Sequence, residues 1–129
     1  MKKTFIALVL SAALVGCVSV PSDDRWVRSE VYFGLSRPDG SLISGAEWQA
    51  FLDEVVTPEF SSGLSVVDVE GQWRNAAGHI DHEHSKMLVL FHPADREVEA
   101  KIDLIRRAYQ LRFDQEAVMK VTSRSRVDF

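Results

Sequence analysis

The sequence predicts an α+β fold in which two helices pack on one face of a four-stranded antiparallel sheet. Four segments alternate apolar and polar residues, which is typical of strands with one buried side. Two others repeat their apolar residues every three or four positions, which is typical of helices that bury one stripe. The six segments follow one another as strand, helix, strand, strand, helix, strand. This order suits an enzyme as well as a binding protein, so function has to be sought in particular residues.

The first strand and the first helix have clear boundaries in the sequence. The strand begins at Trp26 and ends in a turn at residues 37–40, which include proline, aspartate and glycine. Ser44 and Glu47 then have the spacing of a capping box, which predicts the start of a helix. Pro58 ends this helix, because proline cannot continue the backbone hydrogen bonds. The apolar residues at helical spacing are Trp48, Phe51, Leu52 and Val55.

A hairpin, a second helix and a last strand complete the domain. Residues 64–73 and 80–91 form two strands joined by a bend at residues 75–78. The second of these strands ends in five consecutive apolar residues, which favours a central position in the sheet. Asp95 is a candidate N-cap for a long helix, and residues 118–127 form the last strand. The apolar stripe of the long helix is Val98, Ile102, Ile105, Tyr109 and Phe113.

This order of elements is the split βαβ arrangement of ferredoxin-like domains. Right-handed crossovers place both helices on one face, with the first and third strands in the centre of the sheet. The other face is then open, and the alternation predicts that it is polar. Such a face is a ligand surface, a dimer surface or simply a wetted surface, and the pattern does not distinguish the three. The residues assigned to it are Arg28, Glu30, Tyr32, Asp68, Glu70, Gln72, Glu83 and Lys120.

The N-terminal segment is typical of a bacterial lipoprotein signal. Lys2 and Lys3 precede an apolar run that is short for a bilayer span, and residues 14–16 lead into Cys17, the only cysteine. This pattern resembles a lipobox, which implies that the thiol is acylated and the bond before it cleaved. A buried helix or an ordinary secretory signal also accommodates such a run, but neither explains the lysines together with the cysteine. Val18, in place of aspartate after the cysteine, implies an outer-membrane anchor facing the periplasm.

The predicted organisation has three parts: a signal peptide over residues 1–16, a lipidated N-terminus and flexible tether over residues 17–25, and a single α+β domain over residues 26–129. The chain has 19 acidic and 15 basic residues and a formal net charge of −4. Cleavage removes two lysines, so the mature protein is more acidic still. An acidic surface repels phosphate backbones and anionic headgroups. We therefore expect no nucleic-acid partner and a membrane contact made by the lipid alone.

Six groups of residues carry a family resemblance. They are Tyr32-Phe33-Gly34-Leu35, Trp48-x-x-Phe51-Leu52, Pro58-x-Phe60 with Gly63-Leu64, Gly71-Gln72-Trp73, Glu83-x-Ser85, and Tyr109 with Phe113-x-Gln115. In these residues the chain resembles the bacterial family catalogued as domain of unknown function 3574. The resemblance extends from Ser29 to Phe129 and brings neither an activity nor a site residue with it.

Candidate ligand-binding residues lie on the predicted open face. Aromatic rings there can stack on a ligand ring, and an amide or carboxylate can hydrogen-bond to it. Glu70 and Glu83 would suit the acid and base of glycan cleavage if they lay opposite one another on the hairpin. Carboxylates on hairpins are more often solvated, so no catalytic residue is assigned. The candidate ligand-binding residues are Tyr32, Gln72, Trp73 and Glu83.

The histidines after the hairpin bend are the richest group of metal-ligating residues. His82 and His84 project to the same face of a strand, and His79 precedes them closely. Zinc or copper accepts such ligands, but the second ligand pair of a closed structural site is missing. Both strand histidines also depart from the family pattern. We therefore expect no bound metal and no other cofactor.

The sequence lacks the usual catalytic motifs. It contains no Gly-x-Ser-x-Gly elbow, no phosphate-binding glycine loop and no dinucleotide-binding turn. Acylation of Cys17 would also remove the only thiol nucleophile. These observations favour a non-enzymatic envelope module that binds an envelope protein or forms a homodimer. A small-molecule binding or enzymatic domain on the open face is the alternative, and a purely structural lipoprotein is a third hypothesis.

Overall fold

The computed structural model describes residues 26–128, and they form the predicted ferredoxin-like α+β fold. All strand pairs are antiparallel, and the strand order β2-β3-β1-β4 places β1 and β3 in the centre, as predicted. The predicted signal peptide, Cys17 and the tether lie outside the described residues. The strands are β1 (Trp26–Gly34), β2 (Ser65–Arg74), β3 (Ile80–Pro93) and β4 (Met119–Ser125), and the helices are α1 (Gly45–Phe51) and α2 (Arg96–Phe113).

Helix α1 begins with the predicted capping box and ends in a wider turn. The backbone N–H of Glu47 donates to the Ser44 hydroxyl at 3.2 Å, and the Ser44 N–H donates to the Glu47 carboxylate at 2.9 Å. Together they satisfy two backbone donors that the helix itself leaves free. The helix continues into a π-helical turn, Leu52–Val56, closed by the Thr57 N–H donating to Leu52 O at 2.8 Å. Pro58 follows directly.

Helix α2 is capped at both ends by aspartates. The Asp95 carboxylate accepts a hydrogen bond from the Glu97 N–H at 2.7 Å, as its predicted N-cap role requires. At the other end Asp114 adopts a left-handed conformation with φ 53°. That geometry turns the chain sharply towards β4, and aspartate tolerates it better than most residues do.

The core lies between the two helices and the sheet, and aromatic rings dominate it. Tyr109 of α2 is fully buried, as its place on the apolar stripe predicts. Its ring centroid lies 4.7 Å from those of Phe33 and Phe113 and 5.0 Å from that of Phe51. The tilted and edge-to-face arrangements suit the charge distribution of aromatic rings. This cluster joins β1 to both helices.

Four of the eight residues predicted for the open face lie on the helix side of the sheet. In the β2–β3 register, Val66 is opposite Leu88, which is fully buried under the helices, so the even-numbered residues of β2 face the helix side. Lys120 also faces the helices, where its Nζ donates to Glu99 Oε2 at 2.8 Å. Period-two alternation shows that two sides differ, but it does not show which one the helices cover. The displaced residues are Asp68, Glu70, Gln72 and Lys120.

The same register separates the two glutamates considered as an acid and base pair. Glu70 is opposite His84, whereas Glu83 is opposite Gly71. Glu70 and Glu83 therefore point to opposite faces of the hairpin, because neighbouring positions in a strand alternate. The prediction that Glu70 and Glu83 act together as an acid and a base is therefore wrong.

Candidate functional site

The open face of the sheet is apolar along its middle. One row of side chains crosses all four strands, because each of its members is the register partner of the next. The row consists of Val67, Met87, Tyr32 and Met119. We call this the apolar row. Beside it Val89 lies next to Glu30. The predicted polar face is therefore a mixed surface with an apolar centre.

Several large apolar side chains on this face are exposed to solvent. Met119 is 55% exposed and Phe91 50% exposed, although both lie in strands of the sheet. Ten large apolar residues are exposed in the described part of the chain, and half of them lie on the open face. Apolar surface of this kind marks an interaction site when it is contiguous. The five are Val67, Trp73, Phe91, Met119 and Val121.

The charges next to the apolar row neutralise one another. Arg28 and Glu30 form an ion pair at 2.7 Å, and the Tyr32 hydroxyl donates to the same carboxylate at 2.8 Å. That hydrogen bond is the main reason why the pKa of Tyr32 is raised. The Arg28 guanidinium also lies 6.0 Å from the centroid of the Phe91 ring.

A second feature lies where β1 ends, at the margin of the open face. A cavity of about 410 Å³ opens there between β3 and the two loops that follow β1 and α2. A Cβ atom on Gly34 would lie 2.5 Å from Glu83 Oε1 and 3.3 Å from Gln115 Oε1. Glycine is thus what lets these two oxygens approach the strand. The lining residues are Ser36, Arg37, Pro38, Glu83, Asp114, Gln115, Glu116 and Ala117.

The polar groups around this cavity are held in different ways. The Gln115 amide donates to Ser36 O at 2.9 Å and to Phe113 O at 3.2 Å, which leaves its Oε1 facing Gly34. The half-buried Glu83 carboxylate forms no hydrogen bond or ion pair with any residue from 26 to 128. Glu83 and Gln115 therefore present hydrogen-bond acceptors beside the carboxylates of Asp114 and Glu116, and the site suits a ligand with N–H or O–H donors.

Tyr109 supports this cavity from inside the core. Its hydroxyl donates to Gly34 O at 2.8 Å and so ties α2 to the end of β1. Burial raises the pKa of the phenol well above its usual value of 10, and the Glu83 charge adds to the shift. The phenol therefore stays protonated and remains a donor.

The four ligand-binding candidates do not meet at one place. Tyr32 lies in the apolar row, and Trp73, 48% exposed, lies near the end of the hairpin. Glu83 borders the cavity, whereas Gln72 lies on the helix side. Sequence reasoning missed Gln115 as the neighbour of Glu83, although both belong to motifs of the family resemblance.

The histidines do not form a metal centre in the described structure. His82 and His84 share the helix side of β3, as their spacing predicts, and both are exposed. His84 Nδ1 lies 3.7 Å from Glu70 Oε1, and His79 lies in the bend before the strand. No three His, Cys, Asp or Glu side chains between residues 26 and 128 are arranged to hold an ion.

Sequence reasoning also missed a buried serine and histidine pair. Ser29 Oγ lies 2.8 Å from His92 Nε2, while His92 Nδ1 lies 2.8 Å from Pro93 O. Because the carbonyl can only accept, Nδ1 donates to it; in the neutral ring Nε2 then accepts from the serine, and Glu99 Oε1 lies 3.8 Å from Nε2. Ser29 is fully buried, so no substrate reaches it and the pair is structural.

Comparison with known proteins supports the fold and the family. A phage S-adenosylmethionine lyase in complex with S-methyl-5′-thioadenosine has a TM-score of 0.57 at 15% identity, over 79% of this chain and 83% of that chain. CutA from Synechococcus elongatus, complexed with Bis-Tris, has a TM-score of 0.50 at 14% identity, over 79% and 82%. At such identities the likeness shows the fold alone.

Three further findings concern the chain itself. None of the helices within residues 26–128 is both long and apolar enough to cross a bilayer. No curated protein matches the sequence. The family model described as "Protein of unknown function (DUF3574)" matches residues 28–129, nearly the whole described domain. The chain therefore belongs to the DUF3574 family.

Proposed function

We propose that this chain is a lipid-anchored protein of the bacterial envelope that binds a protein partner through the open face of its sheet and has no catalytic activity of its own. The apolar row is the observation that carries the proposal. Apolar side chains gain free energy when a partner removes them from water. Exposed apolar surface on a strand also promotes aggregation, so it persists where a partner uses it.

The anchor is supported by the N-terminal pattern of Lys2, Lys3 and Cys17. We expect the native protein to incorporate labelled palmitate and to fractionate with membranes. The Cys17→Ser variant should incorporate no label and remain uncleaved. A native protein that is cleaved and released without lipid would refute the anchor while leaving the open face untouched.

The partner surface is tested by photo-cross-linking in intact envelopes. A photoreactive amino acid at position Met119 lies on the open face, whereas one at Leu111 lies on α2 and is 88% exposed. We expect discrete protein adducts from the first position and none from the second, with mass spectrometry to identify them. Equal adduct yields from both positions would reject the open face as the binding surface.

A second candidate function is binding of a small molecule at the cavity beside Glu83. Its support is the half-buried carboxylate that lacks a partner among residues 26–128, next to the Gln115 carbonyl. Ligand sites combine such a cavity with a few convergent polar groups. The phage lyase of similar fold has been solved with S-methyl-5′-thioadenosine, which makes that nucleoside a reasonable first probe.

Isothermal titration calorimetry tests this candidate. We expect S-methyl-5′-thioadenosine or S-adenosylmethionine to release or absorb heat with the native protein and not with Glu83→Gln. Glu70→Gln, on the opposite face of the same hairpin, is the matched control and should bind as the native protein does. Absence of heat with the native protein would count against both probes at this cavity.

A further inference from the structure

The apolar row spans the sheet without a gap. Val67 is opposite Met87, Met87 is opposite Tyr32, and Tyr32 is opposite Met119. Both edge strands therefore contribute to it, and no charged residue interrupts it. A partner that covers this row must present a similar width of apolar surface.

The size of the open face fits a stable protein interface. The four strands contain 9, 10, 14 and 7 residues and are staggered along the sheet, with a rise of about 3.3 Å per residue and a spacing of about 4.8 Å between strands. The footprint is therefore roughly 600 Å² before the roughness of the side chains is counted, which approaches the ~800 Å² that each partner buries in a standard interface. A peptide or a small ligand would leave most of it exposed.

The charges of the face favour a partner of the same kind. Arg28 and Glu30 are paired within the chain, and Tyr32 completes the carboxylate's hydrogen bonding. Covering Arg28 and Glu30 keeps the two charges paired, and the Glu83 carboxylate, which has no partner among residues 26–128, lies at the margin of the face beyond the apolar row. A partner with charged binding residues would find no free counterion along the apolar row. A second copy offers the same neutral, apolar surface and needs no counterion.

The overall charge indicates which part of the surface two copies would share. The full chain has a formal net charge of −4 and the mature chain is more acidic still, so two copies repel each other over most of their surfaces. Along the apolar row there is no charged residue, and the neighbouring charges of Arg28 and Glu30 neutralise each other. Two copies therefore meet there with little repulsion and bury apolar side chains.

We propose that the partner of the open face is a second copy of this chain, bound through the same face. This inference rests on the proposed function, because it names the partner of that surface. The interface is isologous, so each copy contributes the same rows of residues. Anchoring both copies in one membrane would favour the contact further by raising their local concentration.

The test is the mass of the protein in solution, measured by sedimentation equilibrium on residues 18–129. That chain keeps every buried core residue, since the core extends from Val31 to Val118. Val121→Lys places a charge on the open face beside the apolar row. Leu104→Lys and Leu111→Lys place the same charge at exposed apolar positions of α2 and serve as matched controls.

We expect the native chain and both control variants to sediment as dimers. Val121→Lys should weaken association by roughly 100-fold, because a lysine would be buried opposite Glu30, whose carboxylate is already bound by Arg28 and Tyr32. Thermal melting checks that each variant is folded. Met119→Gln, at a 55% exposed position of the same face, replaces Val121→Lys if that variant does not fold.

Two results would overturn the inference: a monomeric native chain at millimolar concentration, or equal weakening by Leu111→Lys and Val121→Lys. The photo-cross-linking experiment separates this failure from that of the proposed function. A monomeric chain whose Met119 position still forms adducts with a different envelope protein removes only the second copy as partner. A monomeric chain without adducts removes both proposals.

Discussion

Replacing Tyr109 by phenylalanine isolates one hydrogen bond between helix α2 and the sheet. The ring is fully buried, and phenylalanine preserves its packing against Phe33, Phe51 and Phe113. Only the bond from the hydroxyl to Gly34 O, 2.8 Å long, is lost. The substitution leaves a carbonyl oxygen at the end of β1 without that donor.

The expected loss is about 1–2 kcal/mol of unfolding free energy, because a buried acceptor loses its partner without regaining water. For a domain of this size that corresponds to a fall in melting temperature of roughly 5–10 °C. Tyr109→Ala should cost about 3–5 kcal/mol, since it also empties the space of the ring. Calorimetry or circular dichroism at pH 7 measures all three proteins.

Tyr32→Phe is the matched control, because it also removes one tyrosine hydroxyl. In the monomer its bond to Glu30 lies on the open face, where water can replace it, so the variants are compared at protein concentrations low enough to keep the chain monomeric. We expect a change below about 0.5 kcal/mol. If Tyr109→Phe melts with the native protein while Tyr109→Ala is strongly destabilised, the hydroxyl contributes nothing and the reasoning is wrong.

Three further predictions concern the caps and the buried pair. Hydrogen bonding from the Ser44 backbone N–H, with the Ser44 hydroxyl next, lowers the pKa of Glu47 to about 2. The stability from this group is therefore present above pH 4.5 and lost as pH falls towards 2, and melting of Glu47→Gln should show less dependence on pH in that range. Ser29→Ala should cost about 1–3 kcal/mol in a urea titration, because it leaves His92 Nε2 buried without its donor; an unchanged midpoint would mean that the pair is not formed. Asp114→Gly should stabilise the protein by about 0.5–1 kcal/mol, because glycine adopts the left-handed conformation without strain; destabilisation would show that the carboxylate has a structural role.

The boundaries of the elements could be predicted because local chemistry sets them. The Ser44 and Glu47 capping box, the bend at residues 75–78 and the Asp95 N-cap all occur in the structure. Each involves residues close in sequence, so its geometry depends little on the rest of the chain.

The placement of the β2 side chains could not be predicted in the same way. Asp68 and Glu70 lie on the helix side, yet both are exposed. Val67 faces the open side and is 42% exposed, so both sides of the strand contact solvent. Polarity then gives no sign of which side faces the helices. The pairing of Val66 with the buried Leu88 decides it.

The sequence by itself determined the order of the elements, their fold and the family resemblance, because period, capping and turn chemistry are local properties. Only the tertiary structure brought Gly34, Glu83 and Gln115 together, since they come from the end of β1, the middle of the hairpin arm and the loop after α2. It also assembled the apolar row from four strands. Contacts between residues distant in the chain depend on register and packing, which no single segment encodes.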